Sequence, residues 1–332
     1  MPTYTLSLDE INGRDAQRCG GKGANLGELT HAGVRVPPGF CIVADALAHV
    51  IDVNSLRLPI AAIAARLRFD DPNAVEVETS RIRSMIVSAE IPADLEAEIL
   101  ARHRALVSTE NEYVAVRSSV AVKDSPISSF PGMMDTYHYV LGEADVLARV
   151  RECWASLWTT RAAFARDRQH ISHDRGLIAP VIQVMVNADA AGVLFTANPI
   201  TQATDAIVIE ANWGIGESVV SGRSMNDFYV LHKPTLAVGE RRVARKNVMV
   251  TLDHGKGSGR KEQEVPPTLA TRPTLSDAQL TELGDTGRRI EDHFGFNVDV
   301  EWAYQGPTLY ILQARRIRQH AAGPDSPETE GE

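Results

Sequence analysis

Cysteine is scarce in this sequence, which has only Cys19, Cys41 and Cys153 among 332 residues and no Cys-x-x-Cys pair. Thiols so few and so scattered exclude a disulfide scaffold and the usual cysteine-based zinc site. Basic residues are also outnumbered, because 34 lysines and arginines stand against 43 aspartates and glutamates, which gives a net charge of −9. Surfaces that coat nucleic acids are basic, so this balance argues against a nucleic-acid partner.

Long apolar stretches are missing too. No segment approaches the roughly 18 uninterrupted apolar residues of a membrane span, and residues 1–12 hold acids but no apolar stretch of a signal peptide. With the scarce cysteines, these absences predict a cytoplasmic protein without a membrane partner. The sequence also lacks a solenoid repeat, a Walker A loop, a Gly-x-Ser-x-Gly elbow and metal-ligand spacing among its ten histidines.

Mixed helix and strand patterns are what the sequence does contain. Residues 44–106 have mainly helical periodicity, while Tyr113–Arg117 and Val181–Val186 have the apolar character of buried strands. A capping box, Ser276 with Gln279, predicts the start of a late helix. Because strands and helices do not alternate strictly, we expect an α+β fold.

Two further segments are expected to be irregular. Residues 251–275 are rich in glycine, lysine and proline, which predicts a long exposed loop, and within it the basic segment Gly255–Lys261 is expected to be solvated. The acidic residues 319–332 are expected to form a disordered tail.

A glycine-rich turn, Gly20-Gly21-Lys22-Gly23, precedes a short helical pattern near the N-terminus. Glycines allow a backbone to approach a phosphate, and a lysine at a helix start adds positive charge there. The alternative is a surface turn with a solvated lysine.

A second candidate begins where the strand Tyr113–Arg117 ends. Ser118 and Ser119 follow Arg117, and a hydroxyl-flanked glycine loop, Ser129–Thr136, comes later in the chain. The backbone N–H groups of such a loop and a planar guanidinium can bind phosphate oxygens. The alternative is a polar hairpin with Arg117 in a structural ion pair.

The C-terminal hairpin gives the strongest argument, because side chains alternate between the two faces of a strand. A three-residue loop at 306–308 would place Glu301 opposite Gln313. Asp299 would then lie opposite Arg315 on the same face. Carboxylate and amide oxygens are what Mg²⁺ prefers, especially when nucleotide phosphates supply further ligands. The alternative is an exposed sheet face with an Asp–Arg pair.

The other face of this hairpin is apolar. With the same register, Trp302 would pair with Leu312, and Tyr304 would pair with Tyr310. Such a face would belong to the core of the fold.

Two weaker candidates remain. Gln183 interrupts the apolar strand Val181–Val186, either as a hydrogen-bonded core amide or as the edge of a base-binding site. Glu217 follows a Gly-x-Gly turn, which alone carries little information about function.

Several of these segments, in this order, resemble the N-terminal ATP-binding domain of the phosphoenolpyruvate synthase, pyruvate phosphate dikinase and rifampin phosphotransferase family. The resemblance extends over roughly residues 10–318 and rests on Gly20–Leu26, Ala115–Ser119, Cys153–Trp158, Gly192–Thr196, Ile209–Gly222 and Leu312–Arg315. It implies an ATP-grasp-like fold with a nucleotide held between two lobes, which we expect to be residues 1–186 and 187–318.

The resemblance also implies roles for individual residues. Lys22, Arg117 and Arg315 would hold phosphates and stabilise the charge that develops on the transferred group. Gly132, Met133, Met134, Asp135 and Thr136 would form the phosphate loop, and Gln183, Met185 and Val186 would line the adenine site. Glu217 would lie near the ribose or the metal. Asp299, Glu301 and Gln313 would position Mg²⁺, with Glu301 and Gln313 as its ligands.

The expected function is therefore transfer of a phosphoryl group from Mg-ATP. Full-length relatives carry a phosphohistidine domain and an acceptor domain, whose motifs are not found between residues 1 and 332. The acceptor would be a separate phosphohistidine protein or a small molecule. The alternatives are an ATP-grasp ligase that activates a carboxylate or amide, and a non-catalytic nucleotide-binding subunit.

Overall fold

The computed structural model describes residues 3–109, 112–122, 135–222 and 224–317. Its strands, in chain order, are β1 Thr5–Ser7, β2 Gly39–Ile42, β3 Tyr113–Val122, β4 Thr136–Leu141, β5 Gly176–Val184, β6 Ala190–Phe195, β7 Ala206–Trp213, β8 Asp227–His232, β9 Val238–Arg242, β10 Val248–Leu252, β11 Arg260–Glu264, β12 Val298–Gln305 and β13 Thr308–Arg316. Its α-helices are α1 Ala16–His31, α2 Ala44–Val53, α3 Arg57–Ala64, α4 Pro72–Ser88, α5 Ala93–Leu106, α6 Glu143–Ala155, α7 Thr160–Arg168, α8 Glu217–Val220, α9 Pro267–Ala270 and α10 Asp277–Phe294.

Two antiparallel sheets form the frame of the molecule. The first has the strand order β1-β2-β5-β3-β4, and the second has the order β13-β12-β6-β7-β8-β9. Strands β10 and β11 pair with each other as a separate ribbon. The fold is therefore α+β with antiparallel sheets, as the sequence predicted.

One face of the first sheet is covered by helices α2 to α6. Alternate residues of β3, such as Val114 and Val116, point into this core together with Ile182 of β5. Ile82 of α4 and Trp154 of α6 fill it from the helical side. The periodicity of two in the strands and of 3.6 in the helices produces this apolar layer.

The opposite face of the first sheet meets the second sheet through helix α1. Leu26 of α1 and Val181 of β5 share a core with Trp302 of β12 and Leu280 of α10. Because α1 packs with the second sheet as well as the first, the division at residue 186 stays a prediction.

Helix α10 begins where the sequence predicted. Gln279 N–H donates to Ser276 Oγ at 3.3 Å, and Ser276 N–H donates to Gln279 Oε1 at 2.9 Å, so the capping box is formed. The helix ends at Gly295, whose φ of 70° is in the left-handed region that glycine tolerates.

The prediction of one long loop over residues 251–275 is wrong. Strands β10 and β11 pair from Val248 with Glu264 to Leu252 with Arg260, and α9 follows. The strand pattern was hidden because β11 is exposed along its whole length and lacks apolar alternation. The predicted tail, 319–332, lies outside the described residues.

In the part of the chain that the structure describes, no single helix is long and apolar enough to cross a membrane. The consecutive helices α2 and α3 pass by length and composition when taken together, but a bend of 103° separates them.

Candidate functional site

Residues from both sheets and from α1 line a deep cavity of about 1460 Å³. Most of the described residues assigned to nucleotide or metal lie in its wall: Lys22, Arg117, Asp135, Thr136, Gln183, Met185, Val186, Glu217, Glu301, Gln313 and Arg315. Asp299 is buried next to the cavity rather than in its wall. Gly132, Met133 and Met134 lie outside the described residues.

Positive charge is in excess around this cavity. Among the described residues in its wall, six are cationic and three are anionic, namely Lys22, Arg117, Arg161, Arg260, Arg315 and Arg316 against Asp135, Glu217 and Glu301. The whole chain, by contrast, has a net charge of −9. A concave surface of one sign focuses the electrostatic field, so the cavity attracts anions.

Arg117 joins the first sheet to the C-terminal hairpin. Only 9 % of its side chain is exposed. Its Nη2 donates to Glu301 Oε2 at 3.0 Å, and its Nη1 donates to Gln183 Oε1 at 3.1 Å. Burial lowers the pKa of Arg117, and the Glu301 carboxylate opposes this effect. An arginine keeps its charge in such surroundings, so a fixed cation faces the cavity.

The residue pairs on the polar face of the hairpin are as predicted. Glu301 lies opposite Gln313, and Asp299 lies opposite Arg315. The apolar pairs predicted for Trp302 and Tyr304 are wrong by one residue, because Trp302 pairs with Ile311 and Tyr304 pairs with Leu309.

A bulge explains why one half of the hairpin was predicted correctly and the other half was not. The predicted three-residue loop at 306–308 is wrong, because Gln305 pairs directly with Thr308 and leaves a turn of two residues, Gly306 and Pro307. The register then shifts between Glu301 and Trp302, which leaves Leu312 as the extra residue. The Leu312 carbonyl accepts a hydrogen bond of 2.6 Å from Arg117 Nη1. The bulge therefore supplies a backbone acceptor that the sequence did not reveal.

Lys22 is positioned by a kink in α1 at Gly20, where φ is 68°. A Cβ at Gly20 would lie 2.3 Å from Ser119 Oγ, so only glycine fits there. Ser119 Oγ donates to Cys19 O at 2.6 Å and accepts from Gly23 N–H at 2.9 Å. These bonds fix the kink against β3, which turns the glycine-rich segment toward the cavity.

The electrostatic surroundings of Lys22 disfavour its charge. Burial lowers the pKa of Lys22 to about 7, and the neighbouring guanidinium of Arg117 contributes to the decrease. The Glu301 carboxylate acts in the opposite direction. An anion bound near Lys22 would restore the ammonium form, because opposite charge favours the ionised group.

Arg315 forms an ion pair with Asp299. Such a pair was the alternative explanation for the polar face of the hairpin. Its Nε donates to Asp299 Oδ2 at 2.7 Å. Burial raises the pKa of Asp299, and Arg315 opposes that increase. Arg315 is also part of the cavity wall, so the pair orients a guanidinium toward the cavity rather than excluding a role in binding.

Gln183 combines the two interpretations offered for it. It is buried, and its Nε2 donates to Pro37 O at 3.0 Å while its Oε1 accepts from Arg117. Beyond it the wall becomes apolar, with Met185, Val186 and Ile215. Along β3 and β5, Arg117 and Met185 lie at different levels, which define the cationic end and the apolar end of the cavity.

Arg260 and His138 are among the residues of the wall that the sequence analysis missed. Arg260 Nη1 forms an ion pair of 2.5 Å with Glu217 Oε1, and both line the cavity. Arg260 is exposed, as expected, but it lies on β11 and not in a loop. His138 lies two residues after Thr136 on β4, and this even spacing was the available signal for a shared face. A single histidine in a strand gave no other reason to select it.

Glu301 and Gln313 are the residues that could hold a metal. Among the residues described, no cluster of three or more His, Cys, Asp or Glu side chains has the arrangement of a metal site. The two residues are cross-strand neighbours in the cavity wall and offer one carboxylate and one amide oxygen. This donor set fits a Mg²⁺ whose other ligands are phosphate oxygens and water.

Comparison with known proteins identifies the family of this chain. Residues 16–332 match the family described as pyruvate phosphate dikinase, AMP/ATP-binding domain. A probable phosphoenolpyruvate synthase of Methanocaldococcus jannaschii is 42% identical over 93% of this chain and 26% of its own length. The phosphoenolpyruvate synthase of Pyrococcus furiosus is 36% identical over 97% of this chain and 45% of its own length.

A relative that is named for a different activity matches as well. The rifampicin phosphotransferase of Bacillus cereus is 35% identical over 96% of this chain and 36% of its own length. The chain thus spans between about a quarter and a little under half of the length of these relatives. Since the family description matches nearly the whole chain, the protein belongs to the pyruvate phosphate dikinase AMP/ATP-binding domain family.

Proposed function

We propose that this chain binds Mg-ATP in the cavity and transfers a phosphoryl group from it to an acceptor outside residues 1–332. The observation that carries the proposal is the convergence of Lys22, Arg117 and Arg315 on one cavity that also has an apolar end. A nucleotide has the same polarity, with an apolar base at one end and a polyanion at the other.

The residues divide along the cavity according to this polarity. The adenine would lie against Met185 and Val186, and the phosphates would lie against the cationic groups. Gln183 would stand between the two regions, since it is bonded to Arg117 and is followed two residues later by Met185.

Arg117 and Lys22 would act differently on the phosphates. Arg117 is held by hydrogen bonds to Gln183, Glu301 and Leu312, so it needs little reorganisation when charge develops on the transferred group. Lys22 would gain its full charge as the anion binds, because its pKa near 7 in the free protein would rise. Phosphoryl transfer depends chiefly on such positioning and electrostatic stabilisation.

Glu301 and Gln313 would hold Mg²⁺ at the phosphates. When bound, the metal neutralises phosphate charge and orients the transferred group. Asp299 would contribute indirectly, by orienting Arg315 through their 2.7 Å hydrogen bond.

The acceptor is proposed to be a phosphohistidine protein or a small molecule that reaches the cationic end of the cavity. Well-oriented partners in one complex gain about 7–11 kcal/mol over reactants that must meet in solution. Without the acceptor, this chain should therefore consume ATP slowly.

The test is ³¹P detection of Mg-ATP incubated with the chain alone, with candidate phosphocarrier proteins and with a pool of metabolites. We expect the correct acceptor to raise ATP consumption by orders of magnitude. Lys22→Met should abolish this increase, whereas Lys256→Met, which removes an exposed lysine outside the cavity wall, should leave it unchanged.

The products separate the proposal from its alternatives. A phosphorylated acceptor supports phosphoryl transfer, while ADP with a newly joined product would indicate an ATP-grasp ligase. Binding without turnover under every condition would indicate a non-catalytic nucleotide-binding subunit. Hydrolysis of ATP at several turnovers per second by the chain alone would contradict the need for an acceptor.

A further inference from the structure

His138 is a polar residue of the cavity wall to which the proposed function gives no role. Its Nδ1 is buried and has no hydrogen-bond partner among the described residues. A buried polar atom without a partner costs stability, and the imidazole that carries it is part of the cavity wall, where a bound ligand can offer it a partner.

The strand register places His138 between the two ends of the cavity. On the cationic side, Arg117 of β3 pairs with Thr136 of β4. On the apolar side, Met185 N–H donates to the carbonyl of Tyr113, at the start of β3, at 2.9 Å. His138 is two residues from Thr136 toward that end, a distance of about 7 Å along the strand. In a nucleotide, the ribose lies at this level between base and phosphates.

A bulge and the β10–β11 ribbon fix this part of β4. The register of β3 and β4 shifts between Val114 and Val116, and Tyr139 has a φ of 54°. The Tyr139 carbonyl accepts a hydrogen bond of 2.9 Å from Gly259 N–H of the ribbon. Bulges of this kind re-aim side chains next to binding sites.

The charges around His138 keep its ring neutral. Burial lowers the pKa of His138 to about 3, and the cations Arg260 of β11, Arg117 of β3 and Lys22 of α1 act in the same direction. Glu301 of β12 opposes them. A neutral imidazole offers one donor and one acceptor, which suits a hydroxyl group, whereas a phosphate would call for a cation.

We propose that His138 hydrogen-bonds a ribose hydroxyl of the bound nucleotide and so favours ribonucleotides over deoxyribonucleotides. The inference rests on the proposed function, because it needs a nucleotide in this cavity. It adds a residue that determines which sugar the site accepts.

The experiment measures by calorimetry the affinities of the wild-type chain for ATP, 2′-deoxy-ATP and 3′-deoxy-ATP, each with Mg²⁺. One net hydrogen bond corresponds to about a five- to tenfold preference for ATP over the analogue that lacks the bonded hydroxyl. His138→Leu should lose this preference while binding that deoxy analogue as the wild type does. His138→Asn, which keeps a polar side chain, should retain part of it.

The control is His254→Leu, since His254 is an exposed histidine outside the cavity wall, and its preference should equal that of the wild type. Equal discrimination by the wild type and by a folded His138→Leu variant would overturn the inference while the proposed function stands. Absence of discrimination in the wild type would do the same. Failure of the wild type to bind any nucleotide would instead overturn the proposed function.

Discussion

Two lysines of this chain lie in very different polar surroundings. Lys246 and Asp227 are fully buried, with side-chain exposures of 0% each, and Lys246 Nζ donates to Asp227 Oδ1 at 2.7 Å. The same carboxylate accepts from Ala244 N–H and from both the N–H and the hydroxyl of Thr274. Each charge in this cluster is matched, so the cluster is complete within the protein.

Lys22 lies in the opposite situation. Two of the charges that act on it, Arg117 and Arg315, are cations that disfavour its protonation, and Glu301 opposes them. The wall around it has more cations than anions among the described residues. The positive charge of Lys22 is unfavourable in the free protein, and a bound anion would stabilise it.

The difference separates structural from functional buried charge. Matched charges hold two segments together and need no ligand. Asp227 is an example, because it links the strand β8 to the residues before α10. A surplus of one sign, which remains around the cavity after Arg117, Arg260 and Arg315 are paired with carboxylates, destabilises the free protein and predicts a ligand of the other sign. Predictions that perturb each region should therefore have different readouts.

The largest effect on stability is expected from Asp227→Ala. It leaves the Lys246 ammonium buried without its counter-ion, which typically costs about 3–5 kcal/mol. The free energy of unfolding from urea titration measures it. Asp285→Ala breaks an exposed pair with Arg288 and should cost less than about 1 kcal/mol. Equal losses in the two variants would show that the buried cluster is not the structural element described here.

Glu301→Gln should reduce turnover more than stability, because the glutamine keeps an oxygen acceptor for Arg117 Nη2 while it removes the negative charge. Loss of one preorganised electrostatic group typically lowers kcat by about 10²–10³. The affinity for ATP should change less, because the contacts of the adenine and of Lys22 would remain. Turnover with the true acceptor at saturating Mg²⁺ is the measurement. A wild-type rate would mean that the polar hairpin face is structural only.

The pH dependence of nucleotide affinity should follow Lys22. Its pKa of about 7 in the free protein lies below its usual value, so the ammonium is complete below pH 7 and is lost as the pH rises. If the phosphates require the charged form, affinity falls by up to about tenfold per pH unit above 7, which is about 1.4 kcal/mol. Calorimetric titrations between about pH 6.5 and pH 9 test this. Lys22→Met should bind more weakly and lack the dependence.

The Asp227–Lys246 cluster and the cavity around Lys22 also differ in how well they could be predicted from the sequence. Alternation along the hairpin was enough to place Glu301 and Gln313 on one polar face, because a polar and an apolar face cannot be exchanged without burying charge. Their direct pairing was predicted from a three-residue loop, and it holds because the bulge at Leu312 offsets the shorter turn. The bulge at Leu312 was not visible, since its signal is a backbone register and not a residue type. Asp227 and Lys246 were not selected at all, because their contact depends on tertiary structure.

The same limit applies to the residues missed in the cavity. Arg260 looked like part of a solvated loop because β11 has no apolar alternation, and only its pairing with β10 brings it to Glu217. His138 lies two residues from Thr136 and therefore on the same face of β4. The spacing alone does not say which face of a strand borders a cavity. Local patterns therefore predicted which groups are polar, and packing decided which of them converge.

The most direct test of the central claim is the thermal unfolding of the wild-type chain with and without Mg-ATP, with Lys22→Met measured in parallel. The surplus of positive charge predicts that nucleotide stabilises the wild type by about 2.7 kcal/mol at 100 times its Kd, seen as a rise in Tm. Lys22→Met should show a much smaller rise at the same concentration. An unchanged Tm of the wild type in millimolar Mg-ATP would contradict the account.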